Sequence, residues 1–178
     1  MSPRPLTARP LDLVYFVFFV THIPASLCID FQPLYPPALV PGFIKDFAAF
    51  YLKTSNDPLI KAAFGLAEPL VWFQSFLFLE LAFQFPVFFI AARGLWNDSR
   101  KIYVLILVYA ASTATTVWAC LATVVATPLA SNELAMLLAS YVPFFLIPLV
   151  MTIDMAFRVQ GIVSDALAAP AQNSEKQK

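Results

Sequence analysis

Charge is scarce in this chain. Of its 178 residues, 11 are Lys or Arg and 11 are Asp or Glu, 12% in all, where a soluble domain carries about 25%. The formal net charge is zero, so no basic face invites nucleic acid. Histidine occurs once, at His22, and the acids are dispersed along the sequence, so no ligand cluster for a metal is expected. Cysteine occurs twice. Cys28 and Cys120 both lie in apolar runs, which speaks for core- or lipid-facing thiols rather than a disulfide framework. There are only four glycines, and no Gly-rich phosphate loop. No cofactor is expected and no catalytic residue is assigned.

What the chain has is apolar surface. It is 60% hydrophobic with 18 Phe, and its mean hydropathy is +0.75. A helix needs roughly 20 residues to cross a bilayer core. Four runs are long enough, near 11–32, 69–92, 102–126 and 134–157, and none alternates as a barrel strand does. The expected fold is all-α, a polytopic membrane four-helix bundle. Arg4 and Arg9 ahead of the first run imitate a signal peptide, but no small-residue cleavage site followed by soluble sequence appears, so the run reads as an uncleaved span.

With four spans, both termini and the loop near 93–101 share one side. That side holds Arg4, Arg9, Arg93, Arg100, Lys101, Arg158, Lys176 and Lys178, against Lys45, Lys53 and Lys61 on the other. The positive-inside rule then puts both termini in the cytosol. In the 33–68 loop, Phe43, Ile44, Phe47, Phe50 and Tyr51 recur at helical spacing, which predicts a short luminal amphipathic helix on the membrane or over the bundle. Residues 1–10 read as a cytosolic N-terminal segment, 11–160 as the membrane domain and 161–178 as a cytosolic tail; both ends are low-complexity and read as disordered.

Ionisable groups inside a span are costly and are usually paired or functional. Glu80 sits near the middle of the second run, and Phe73, Phe76, Leu77, Glu80 and Gln84 share one helical face. His22, Ser26 and Asp30 are spaced i, i+4 and i+8 on the first. The third offers Tyr109, Ser112, Thr113 and Thr116, and the fourth Tyr141 and Phe144. If the polar stripes face inward, they form one polar patch in an apolar bundle. For each residue a plainer role competes. Thr and Ser can bond to their own helix, His22 can be a satisfied core group, and Asp30 can sit in interfacial water. Asp57 before Pro58 suits a helix N-cap. Pro24 removes a backbone bond and lets the first span bend or open, freeing carbonyls for His22 or water. If Asp30 and Glu80 meet, they cannot both ionise cheaply and would hold one proton between them. Walled by Phe and Tyr, such a pair is an amine site, through the carboxylate and cation–π attraction. It could equally do acid–base chemistry on an apolar substrate.

The stretches "THIPASLCIDFQPLYP", "DPL", "WFQSFLFLELAFQFP" and "YVPFFLIP" resemble, in order and over about residues 14–155, the motifs of the sigma-2 receptor (transmembrane protein 97) family of the EXPERA superfamily. The resemblance implies a four-helix bundle of the endoplasmic reticulum membrane, typically dimeric, whose pocket takes sterols and cationic amphiphiles. Asp30 matches the aspartate that pairs with ligand amines, and Glu80 the glutamate hydrogen-bonded to it. Asp57 matches a structural aspartate. His22, Phe73, Phe76, Gln84, Thr116 and Tyr141 match pocket positions, and Phe144 stands where the family pattern often has Tyr. The implied role is an intramembrane binding protein in sterol or lipid homeostasis, not an enzyme. Two alternatives come with the superfamily: a sterol-isomerase-like enzyme using Asp30 and Glu80, like emopamil-binding protein, and an interaction factor assisting mitochondrial precursor targeting, like fungal members.

Overall fold

Four apolar helical stretches set the architecture of the computed structural model, which describes residues 3–175. They run Pro10–Asp30, Val71–Trp96, Arg100–Ala126 and Ser131–Ala168, each long and apolar enough to cross a membrane. The chain is all-α, with no strand among the described residues. Its elements are α1 (Pro10–Ala25), α2 (Gly42–Ser55), α3 (Pro58–Ala63), α4 (Val71–Leu79), α5 (Phe85–Trp96), α6 (Tyr103–Ala126) and α7 (Ser131–Glu175). Along the bundle α6 packs on α7 and α1 on α5. The outer faces stay apolar: Val17, Phe89, Trp118 and Val150 are exposed, as lipid-facing side chains are.

The first two spans are each interrupted by a π-helical turn, Ser26–Asp30 after α1 and Glu80–Gln84 between α4 and α5. Pro24 lies within α1, shortly before the first turn, and Pro86 follows the second at the start of α5. Proline deletes a helix hydrogen bond, and each π-turn lies within two residues of one. Asp30 closes the first of these turns and Glu80 opens the second.

Two apolar cores fill the bundle. Tyr15, Phe19, Phe88, Ile106, Tyr109, Met151 and Met155 form one toward the end carrying the termini. Leu59, Ile60, Phe73, Leu77, Val124 and Leu137 form the other toward the opposite loops. Gly94 permits a close approach at the terminal end: a Cβ there would lie 2.5 Å from the Ile102 side chain.

Several boundaries differ from the sequence expectation. The second span begins later and ends later, so Glu80 is nine residues from Val71 and sixteen from Trp96 rather than central. The N-terminal segment is ordered: Leu6–Ala8 form a 3-10 turn and Arg9 is buried. The last helix continues to Glu175, well into the region expected as a tail. Lys176 and Lys178 lie outside the described residues.

Candidate functional site

A cavity of about 330 Å³ lies where the two cores meet. All four spans and α2 contribute to it. His22 and Asp30 come from the first span, Phe73, Phe76, Glu80 and Gln84 from the second, Thr116 and Cys120 from the third, Tyr141 and Phe144 from the fourth, and Phe47 and Tyr51 from α2. No Lys or Arg lines it. The structure therefore brings together all eight residues that the sequence singled out as ligand-binding. Pro24 stays outside the lining, where it acts on the backbone of the first span.

One ligating atom each from His22, Asp30 and Glu80 lie within 4.8 Å of one another. The acids, dispersed in sequence, thus converge in space, which removes the ground on which a metal-capable cluster was set aside. Asp30 and Glu80 make no direct hydrogen bond among the described contacts. Instead the Ser26 hydroxyl donates to Glu80 Oε1 at 2.6 Å, so the π-turn that carries Asp30 also holds Glu80. Two carboxyls this close in a medium of low polarity, with no cationic side chain between them, favour binding a positive charge.

His22 lines the cavity as the resemblance implies, but it is neither a satisfied core group nor a partner for freed carbonyls. Its Nδ1 is buried without a hydrogen-bond partner. Its ring stacks on Phe88 at 4.7 Å and 22° and packs against Phe144 at 4.6 Å and Phe18 at 5.2 Å. The freed carbonyls are not its partners. The π-turn that follows closes on itself, with Phe31 N–H donating to Ser26 O at 2.9 Å. On the third span the plainer reading of Thr116 holds, since its hydroxyl donates to Thr113 O at 3.1 Å. Gln84 is buried and donates from Nε2 to Ser112 Oγ at 3.3 Å.

Asp57 lies behind the cavity wall toward the loops and is fully buried. Its Oδ1 accepts from the N–H groups of Leu59 at 2.9 Å and Ile60 at 3.2 Å, capping α3. Its Oδ2 accepts from the hydroxyls of Tyr51 at 2.8 Å and Tyr141 at 2.9 Å. Burial and the Asp57 charge hold the Tyr51 phenol above its usual range, so it stays a donor. Tyr51 escaped the sequence reading as a site residue because it sits on the predicted surface helix. Phe43, Phe47 and Phe50 of that helix are indeed exposed, while Tyr51, at the edge of that face beside Phe47, reaches the cavity. Spacing within α2 cannot reveal a partner on α7.

A second, polar cleft of about 480 Å³ opens at the terminal end, lined by Arg4, Arg9, Asp12, Arg100, Tyr103 and Arg158 among others. There Asp12 accepts from Arg9 Nη1 at 2.5 Å and from Arg158 Nη1 at 2.7 Å.

Comparison with known proteins places this geometry. Residues 43–155 match the EXPERA (expanded EBP superfamily) model. Sigma intracellular receptor 2 of Xenopus tropicalis is 32% identical over 160 residues, covering 84% of this chain and 90% of that protein. The Homo sapiens protein of the same name is 32% identical over 164 residues, covering 85% and 90%. Efficient mitochondria targeting-associated protein 19 of Schizosaccharomyces pombe is 29% identical over 169 residues, covering 94% and 86%. With four membrane-crossing helices and a shared cavity between them, the chain is a multi-pass membrane protein that belongs to the EXPERA superfamily and, within it, to the sigma intracellular receptor 2 family.

Proposed function

We propose that this chain binds sterol-like molecules and cationic amphiphiles inside the membrane, with the Asp30 carboxylate as anchor for the cationic nitrogen. The observation that carries this reading is an aromatic-walled cavity with two carboxyls and no Lys or Arg among its lining residues. A buried carboxylate without a protein cation gains most from a ligand that brings one. Phe73, Phe76 and Phe144 offer ring faces to the same charge. Glu80, positioned by Ser26, faces Asp30 within 4.8 Å and would close a hydrogen bond to it when the ligand binds. Asp57 supports the site through α3 and the two tyrosines. The relatives' names support a receptor rather than an enzyme. On this reading the protein serves lipid or sterol homeostasis at the endoplasmic reticulum, as a homodimer with both termini in the cytosol, where the Lys and Arg excess points.

The test is amine affinity of purified protein and of Asp30→Asn, with native mass spectrometry of co-purified lipid. Loss of amine binding in a folded variant supports the anchor. Unchanged affinity overturns it.

A second reading has one observation in its favour: a histidine and two carboxyls face one apolar cavity, as sterol double-bond migration by proton transfer requires. Turnover of a sterol substrate by purified protein would establish it. The Schizosaccharomyces pombe relative, matched over 94% of this chain, supports a third, an interaction factor for mitochondrial precursors. Co-purification of such precursors would test that.

A further inference from the structure

His22, Asp30 and Glu80 offer more than an amine site. We propose that they form a binding site for a divalent transition-metal ion of the zinc type, which competes with cationic amines for the same two carboxyls. The inference shares the cavity of the preceding reading but does not need an amine to bind there.

Four observations carry it. The three ligating atoms already lie within 4.8 Å of one another. Zinc–nitrogen and zinc–oxygen bonds of about 2.0–2.2 Å place neighbouring ligands about 3.3–3.5 Å apart, so small rotations of two carboxylates complete the set. The donor set, one imidazole and two carboxylates with an open position, suits zinc, cobalt(II), manganese(II) or iron(II) rather than a soft thiophilic ion. The charge also fits. With no Lys or Arg in the lining, a divalent ion neutralises both carboxylates, whereas a monovalent amine neutralises one.

The fourth observation concerns His22 itself. It is 8% exposed, and its Nδ1 is buried with no hydrogen-bond partner, although buried polar atoms are almost always satisfied. The imidazole is held by three Phe rings that cannot hydrogen-bond in its plane. A metal ion ligated by this imidazole gives the ring the polar partner that its Phe neighbours cannot. Ser26, donating to Glu80 Oε1, fixes one carboxylate as outer-shell donors do in metal sites.

His22 is the chain's only histidine, which makes the experiment clean. Tag-free protein in detergent is stripped with a chelator and titrated with Zn2+, Co2+ and, as a hard-ion control, Mg2+. The proposal expects one Zn2+ or Co2+ per chain and no Mg2+ binding at matched concentration. His22→Ala and Asp30→Asn each lower zinc affinity by more than about tenfold. Should either variant fail to fold, Co2+-loaded parent protein gives the answer directly: the ring resonances of the single histidine show large paramagnetic shifts. Unshifted resonances, or zinc binding that survives His22→Ala, overturn the site. Amine binding is measured in parallel on chelated protein. Amine binding that zinc does not weaken overturns the competition while leaving the amine reading intact. Histidine-dependent zinc binding without amine binding supports the metal site and sinks the amine reading.

Discussion

Asp12 and Asp30 lie on the same span, and their surroundings differ in sign. Asp12 is 2% exposed in its side chain and lies between Arg9 at 2.5 Å and Arg158 at 2.7 Å. The Arg9 guanidinium also donates to Leu95 O at 2.8 Å, which ties the first span to the second, while Arg158 ties it to the last. Asp30 has no such partner. It faces Glu80 and His22 across a cavity without a cation. A carboxylate whose charge is answered inside the protein holds helices together. One whose charge is unanswered is available to something that arrives from outside.

The largest expected effect comes from breaking the answered charge. Asp12→Ala takes the nearer carboxylate from buried Arg9, leaving only Asp98 at 3.5 Å, and strips Arg158 of the same partner; removing one partner of a buried pair costs up to about 3–5 kcal/mol. Thermal unfolding in detergent should show a large drop for Asp12→Ala and none for Asp30→Asn. If Asp30→Asn destabilises equally, the two sites do not differ in kind.

The converse experiment reads binding. Asp30→Asn should weaken cationic ligands by about 2–5 kcal/mol, the cost of truncating a buried charge pair. Neutral sterol-like ligands should be nearly unaffected. A parallel loss for both would mean that Asp30 shapes the cavity rather than anchoring charge.

Glu80 sharpens the contrast. Glu80→Gln keeps an oxygen to accept from Ser26 and an N–H to donate toward Asp30, so amine affinity should fall little. Glu80→Ala leaves its partners unsatisfied and should cost roughly 1–3 kcal/mol of binding. Equal damage from Gln and Ala would show that Glu80 contributes charge.

The smallest effect belongs to the rim of the terminal end. The Arg4 side chain donates to Asp98 through Nε at 2.8 Å and Nη2 at 3.0 Å, and these hydrogen bonds hold the Asp98 carboxyl well below the usual carboxylate range. A depressed folded value stabilises above the ordinary carboxylate pKa of about 4 and is lost as pH falls below it. The stability difference between parent and Asp98→Asn should therefore be small at neutral pH and vanish in acid. A difference that grows in acid would contradict the pairing.

The four spans could be read from the sequence because a run of some twenty apolar residues has few alternatives. Their convergence on one cavity was readable too, since the stripes of Glu80, Gln84, Thr116 and Tyr141 each follow helical spacing. The shared face of His22, Ser26 and Asp30 was read from their i, i+4, i+8 spacing, but the turn that closes it was not. On a straight α-helix, a residue eight positions on lies about 80° round from the first. A π-turn absorbs one extra residue, which brings Asp30 to within about 20° of the His22 face, and no local residue pattern announces that turn. The terminal ion cluster was missed for another reason. Asp12 and Arg158 are 146 positions apart, and the segment holding Arg9 reads as low complexity. The last helix was cut short because hydropathy reports where a bilayer ends, not where a helix does.

Asp57 has a consequence for time rather than affinity. One side chain receives both Tyr51 of α2 and Tyr141 of α7 while capping α3, so the cavity wall toward the loops is backed by a single knot. Elements tied at one point open together rather than one by one, on the slower clock of cooperative local opening. Tyr51→Phe or Tyr141→Phe should therefore quicken the departure of a bound ligand more than it weakens its hold, which dissociation rates would read.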